Sequence, residues 1–184
     1  PEAAKVIAQK AEEAGSMLTT VDHSRIGVLK ADVNGSVFTY GDRGPYTLRL
    51  AGVYQPGNAA NVIAACELLN RGGVAVSESS VVKGLAGAFW PARFEVLSRE
   101  PFVIFDGAHN PEGMALAVKS IANCFPGEKC VLLMGVMGDK DYGKYPAMLA
   151  PLAEKVVTVT PANARALPAR ELAAVFAGAG VNAE

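Results

Sequence analysis

Residues 102–111 read FVIFDGAHNP, and the second half of this stretch carries the groups that chemistry uses. Asp106 offers a carboxylate, His109 an imidazole and Asn110 an amide, with Gly107 leaving the backbone free to turn between them. The apolar run before Asp106 reads as a strand, and Pro111 opens an apolar-periodic helix. A strand therefore empties into a polar turn at a helix start, the place where parallel α/β domains hold nucleotides and anions. The simpler account is that Asp106 and Asn110 only cap the helix. Four polar or glycine positions in close succession favour a site.

Three further clusters could complete such a site. In GVYQPGNAANVIAA, residues 52–65, Asn58 stands at a helix start, either as its N-cap or as an amide that contacts a heteroaromatic base or a phosphate. In FWPARFEV, residues 89–96, Arg93 follows a rigid Trp90–Pro91 pair, and a guanidinium at such a hinge suits phosphate recognition on domain closure. In MGVMGDKDY, residues 134–142, Asp139 and Lys140 sit on a glycine-punctuated loop after a strand, either as a neutralised surface turn or as substrate contacts. No GxxxxGK[ST] phosphate loop occurs in the chain, and no residue set reads as a metal centre.

The elements that must hold these residues follow from periodicity. Helical spacing predicts a helix over 3–14, then a short strand over 17–21. Alternation around Asn34–Gly35 predicts a hairpin, with a further strand at 46–50. Helices are expected over 58–70 and from Ser77 onward. Gly84, Gly87 and Pro91 interrupt regular structure and mark a domain boundary near 87–91, giving residues 1–88 and 89–184 as separate units. Beyond it, strands at 94–98, 102–105, 129–134 and 155–160 alternate with helices at 111–124, 145–152 and 168–177. This order predicts an α/β fold, with a Rossmann-like, mainly parallel sheet in the second unit and an α+β segment before it.

Bulk properties narrow the function classes. With 51% hydrophobic and 19% charged residues among 184, the chain can bury a real core. A formal net charge of -1 gives no general attraction to nucleic acid or to an anionic membrane. Cys66, Cys124 and Cys130 show no paired spacing and are expected to be reduced and buried, and no run is long and apolar enough to span a bilayer. A cytoplasmic location is expected.

Taken in order and spacing, GVYQPGNAANVIAA, WPARFEV, FVIFDGAHNP, GVMGDKDY and ARALPARELA closely resemble the carboxyl-terminal half of folylpolyglutamate synthase and its bifunctional dihydrofolate synthase form, within the Mur ligase superfamily. The resemblance implies that residues 1–88 are the tail of the central ATPase domain and 89–184 most of the glutamate ligase domain. It implies ATP and Mg²⁺, with the metal ligands and the phosphate loop in an amino-terminal ATPase segment ahead of this chain. It implies L-glutamate and a folate or dihydropteroate as substrates, joined when ATP converts the carboxylate to an acyl phosphate that the glutamate amine attacks. Asn58, Arg93 and Asp106 map onto nucleotide contacts, Arg93, Asp106 and His109 onto the catalytic group, and His109, Asn110, Asp139 and Lys140 onto substrate contacts. Tyr54 stands where the family commonly has histidine. The chain is expected to be a fragment with no ligase activity by itself. A Mur-type ligase of peptidoglycan precursors is the alternative enzyme, and a non-catalytic α/β binding module the alternative from another class.

Overall fold

The structure is a computed structural model that describes residues 2–184; Pro1 lies outside the described residues. Helix α1, Glu2–Glu13, forms as its spacing requires and stops where Gly15 turns left-handed at φ +60°. Its apolar stripe has nothing to cover: no described residue of α1 is buried, and Val6 and Ile7 stay exposed. The strand expected over 17–21 does not form, because no neighbouring strand offers it a ladder. Instead Asp22 caps a single 3₁₀ turn at His23–Arg25, its Oδ1 accepting the Ser24 N–H at 3.0 Å.

Three antiparallel strands follow, β1 Ile26–Asp32, β2 Gly35–Tyr40 and β3 Arg43–Leu48. The expected hairpin forms, but its two turn residues are Val33 and Asn34, with Gly35 opening β2 opposite Asp32, and glycine is required at that position. Gly35 has φ +119°, and a Cβ on it would lie 2.1 Å from the Leu48 carbonyl oxygen. Strands β2 and β3 send Phe38, Tyr40, Tyr46 and Leu48 into one core with Ala59, Ala60 and Ile63 of α2 (Gln55–Arg71) and Val81 and Leu85 of α3 (Glu78–Gly87). Arg43 fastens the two helices by pairing with both Glu67 and Glu78, and the Tyr46 hydroxyl donates to Glu78 at 2.6 Å. Helix α3 starts after Ser77 as expected, with Ser77 as its cap, accepting the Ser80 N–H at 3.1 Å.

The second half has a core of its own. Strands β4 Glu95–Arg99 and β5 Phe102–Phe105 form an antiparallel hairpin, since the two residues between them are far too few for a crossover. Helix α4, Pro111–Cys124, leads to β6, Cys130–Met134, which pairs in parallel with β7, Ala153–Thr158, through the short helix α5, Tyr145–Leu149. Helix α6, Ala169–Gly178, packs back on β7, and Ala183 adds a parallel bridge to Val156. The α/β expectation holds, but in place of one mainly parallel sheet the second half has two separate two-stranded sheets, the antiparallel hairpin β4–β5 and the parallel pair β6–β7. Met114, Tyr145, Leu149, Val156, Leu172 and Phe176 bury one another, separately from the first core.

The cysteines are free, as expected, but only half-buried. No helix of the described residues is long and apolar enough to cross a membrane.

Candidate functional site

The two halves meet at Asp106. Leaving β5, the chain turns so that Asp106 Oδ1 accepts the Ala108 N–H at 2.8 Å, and this side chain orders the turn rather than the helix. Its Oδ2 reaches across the hairpin to accept the Phe94 N–H at 2.8 Å, and it accepts the Tyr54 hydroxyl at 3.3 Å from the first half. One carboxylate thus ties the start of α2, the hinge loop and its own turn together. The cap of α4 is Asn110, whose Oδ1 accepts the Gly113 N–H at 2.7 Å.

The hinge loop is held in a strained form. Ala92 and Phe94 have φ of +57° and +50°, left-handed values that cost a non-glycine residue roughly 1–2 kcal/mol each. Their surroundings impose it. The Ala92 carbonyl accepts the Gly107 N–H at 2.8 Å, the Ala92 N–H donates to Glu95 at 2.8 Å, and Phe94 is 1% exposed. Arg93, between them, is exposed and projects into a cavity of about 270 Å³ at the joint, shared with Arg49, Trp90 and Arg99.

A second cavity, of about 420 Å³, opens on the far side of Tyr54 at the amino end of α2. Its walls include the rings of His23 and Tyr54, with Pro56 and Asn58 at the helix start. Asn58 is not the N-cap, because α2 already begins at Gln55 and Tyr54 occupies the cap position without a side-chain bond. Asn58 Nδ2 donates to Gln55 Oε1 at 3.0 Å, and among the described residues its Oδ1 has no partner. The arrangement offers two aromatic faces, an amide oxygen and a helix start, which together suit a planar heterocycle and a nearby anion. Burial and the neighbouring Asp106 carboxylate push the Tyr54 phenol up to about 12, with Arg93 close enough to oppose them. Tyr54 therefore stays a protonated donor at physiological pH.

His109 is exposed in the turn, and its Nδ1 lies 2.8 Å from the Gly107 carbonyl oxygen. A carbonyl can only accept, so Nδ1 carries a proton, and among the described residues Nε2 has no partner. Asp139 is engaged elsewhere, accepting Arg165 Nη1 at 3.0 Å, and among the described residues no hydrogen bond joins Asp139 or Lys140 to the Asp106 turn. The structure brings Asp106, Arg93 and His109 to one region and places Asn58 across Tyr54 from them, while Asp139 pairs with Arg165.

Two joining residues escape sequence reasoning. Tyr54 contacts Asp106 across 52 positions, a pairing no local pattern encodes. Ser120 is fully buried on α4, where its hydroxyl donates to Leu116 at 2.7 Å and accepts the Val53 N–H at 3.1 Å. Its one signal is a small polar residue set inside the apolar stripe of a helix.

Comparison with known proteins places the chain in a family and its fold beside solved structures. The family described as Mur ligase, glutamate ligase domain, matches residues 92–184. A folylpolyglutamate synthase of Lacticaseibacillus casei is 31% identical over 176 residues, which cover 91% of this chain and 41% of that protein. A probable bifunctional folylpolyglutamate synthase/dihydropteroate synthase of Halobacterium salinarum is 38% identical over 131 residues, 71% of this chain and 15% of that protein. Among solved structures, Mycobacterium tuberculosis folylpolyglutamate synthase complexed with ADP superposes on all of this chain with a TM-score of 0.86 at 26% identity, the match covering 43% of that chain. The chain spans less than half the length of each of these relatives.

Proposed function

We propose, from the premise that the chain belongs to the Mur ligase family with its glutamate ligase domain at residues 92–184, that it is part of an ATP-dependent ligase joining L-glutamate to a folate or dihydropteroate carboxylate. The observation that carries this reading is the Asp106 carboxylate bound simultaneously by the hinge, by its own turn and by Tyr54 of the other half. A ligand seated there touches both halves, as a reaction with three substrates requires. In this reading residues 1–88 are the tail of an ATPase domain and 89–184 the glutamate ligase domain, a division supported by two hydrophobic cores that share no residue.

ATP supplies the phosphoryl group that activates the folate carboxylate as an acyl phosphate. The chain's own residues bind, orient and move protons around that event. Asn58 Oδ1 accepts from an exocyclic amine of the base, between the rings that wall the larger cavity. Asp106 takes a ribose hydroxyl while keeping the hinge in place. Arg93 brings a fixed positive charge toward developing negative charge at the joint. His109, whose Nε2 has no partner among the described residues, accepts the proton that the glutamate ammonium must lose before its nitrogen attacks. Among the described residues no group of three or more His, Cys, Asp or Glu side chains gathers as a metal site, so no step is assigned to a metal held by this chain.

The test is glutamate incorporation into a folate acceptor by the complete enzyme, with Arg93→Ala and Asp106→Ala compared against wild type. Loss of incorporation with an intact circular dichroism spectrum supports the reading. Unchanged incorporation in both variants overturns it in favour of a non-catalytic module. The 184-residue chain alone forms no product in this account.

A further inference from the structure

We infer that His23 is the residue on which the purine of the bound nucleotide stacks, so that this histidine, outside the Asp106 joint, sets nucleotide affinity. The inference rests on the ligase reading, which takes the larger cavity for the base but gives the imidazole no more than a place in its wall. That cavity, of about 420 Å³, falls within the span of small-molecule sites, about 300–1,000 Å³. No carboxylate, lysine or arginine lines it, and apart from His23, Tyr54 and Asn58 its wall is apolar. A phosphate or carboxylate finds no fixed counter-charge there, whereas a planar heterocycle finds aromatic faces and an amide. Of the two rings, Tyr54 is committed to the joint. Its hydroxyl donates to Asp106 at 3.3 Å, and its ring lies so near Gly52 that a Cβ there would stand 2.9 Å away. His23 is exposed and meets no such demand.

The imidazole is nevertheless held from two sides. Asp22 fixes the 3₁₀ turn that carries it, its Oδ1 accepting the Ser24 N–H at 3.0 Å and the Ser24 hydroxyl at 2.6 Å. Tyr54, Gly57, Asn58 and Asn61 recur at helical spacing along one face of α2, and the ring lies on that face. Its Nε2 donates to Asn61 Oδ1 at 3.4 Å, while Cε1 and Nδ1 stand 3.6 and 3.7 Å from where a Cβ on Gly57 would be. Glycine at 57 thus puts no side chain between the ring and the helix. A ring placed before the ligand arrives loses little freedom when a base stacks on it. Beside it stands Asn58 Oδ1, without a partner among the described residues and set to accept from an exocyclic amine.

The complete enzyme is titrated by isothermal calorimetry with ADP, with IDP, whose base carries an oxo group in place of the amine, and with tripolyphosphate, which has no base. The expected result is that His23→Ala weakens ADP by about tenfold, the scale of one base–aromatic stack. It weakens IDP by the same factor, because stacking does not depend on the exocyclic group, and leaves tripolyphosphate within about twofold of wild type. His23→Phe, which keeps a flat face and gives up the Asn61 bond, returns ADP to within about threefold of wild type. ADP binding by His23→Ala within about twofold of wild type, an equal loss of tripolyphosphate binding, or a Phe variant as weak as the Ala variant overturns the proposal. The ligase reading fails separately, if the wild-type enzyme binds ADP but makes no glutamate–folate bond. An enzyme that ligates glutamate while its His23→Ala form binds ADP like wild type overturns the stacking residue alone.

Discussion

Replacing Asp106 by alanine removes the acceptor for two backbone N–H groups at 2.8 Å and for the Tyr54 hydroxyl at 3.3 Å. A hydrogen bond to a charged group contributes about 1.5–3 kcal/mol, so the two short bonds together are worth about 3–6 kcal/mol. Asp106 is only half-buried, and the freed N–H of Ala108 can turn to water, which lowers the figure to about 2–3 kcal/mol. The Phe94 N–H has less freedom, because Phe94 is buried and left-handed at φ +50°. Without the carboxylate the hinge relaxes toward a right-handed form, and Arg93 swings with it. Urea unfolding followed by Trp90 emission measures both effects, since the indole sits on the same loop. The Asp106→Ala midpoint should fall by an amount equivalent to about 2–3 kcal/mol, and Asp106→Asn, which keeps one acceptor oxygen, by about half of that. A change below about 0.5 kcal/mol, or an Asn variant as damaged as the Ala variant, refutes the idea that this carboxylate holds the joint.

Ser120→Ala leaves the half-buried Val53 N–H without its acceptor and should cost about 1–2 kcal/mol in the same unfolding assay, with Ser120→Thr milder if the methyl group is accommodated. Gly35→Ala drives a Cβ to 2.1 Å from the Leu48 carbonyl at φ +119°, so the hairpin must deform and the melting temperature should drop by several degrees, as differential scanning calorimetry would show. The Glu78 carboxyl is held below its ordinary 4.5 by the Tyr46 hydroxyl first and by Arg43 second. Because the folded value is depressed, its contribution is present above about 4.5 and is lost as pH falls through the folded value. Acid unfolding of Arg43→Met should therefore show a shallower loss of stability below that pH than wild type, and identical slopes would contradict the pairing.

How far the sequence could be read depended on whether a signal was local. The hairpin, the start of α3 at Ser77 and the Pro111 helix start are each written in a few adjacent residues; the two helix starts form where expected, and the turn falls one residue earlier, at Val33–Asn34. The strand expected over 17–21 failed because a strand needs a partner, and periodicity says nothing about whether one arrives. Of the two readings open for Asn58, the N-cap is excluded because α2 already begins at Gln55, a start that the Gln55–Pro56 pair does not announce. At the site, DGAHNP announced the turn, but not that Asp106 would spend its oxygens on the hinge while Asn110 capped the helix. Asp139 and Lys140 looked equivalent to that turn by position after a strand, yet Arg165 engages Asp139 from the loop beyond β7. Arg49, Arg93 and Arg99 lie on three separate segments, and only the fold of the joint gathers them.

The most direct test of the account is Arg93→Ala in the complete enzyme, because Arg93 is exposed and its loss leaves the core untouched. Incorporation of radiolabelled L-glutamate into a folate acceptor should fall by roughly a hundredfold or more in kcat/KM, the scale on which a charge aimed at the transition state is lost, with the melting temperature unchanged. An Arg93→Ala enzyme that ligates glutamate within about threefold of wild type contradicts the claim that this joint delivers charge to an ATP-dependent ligation.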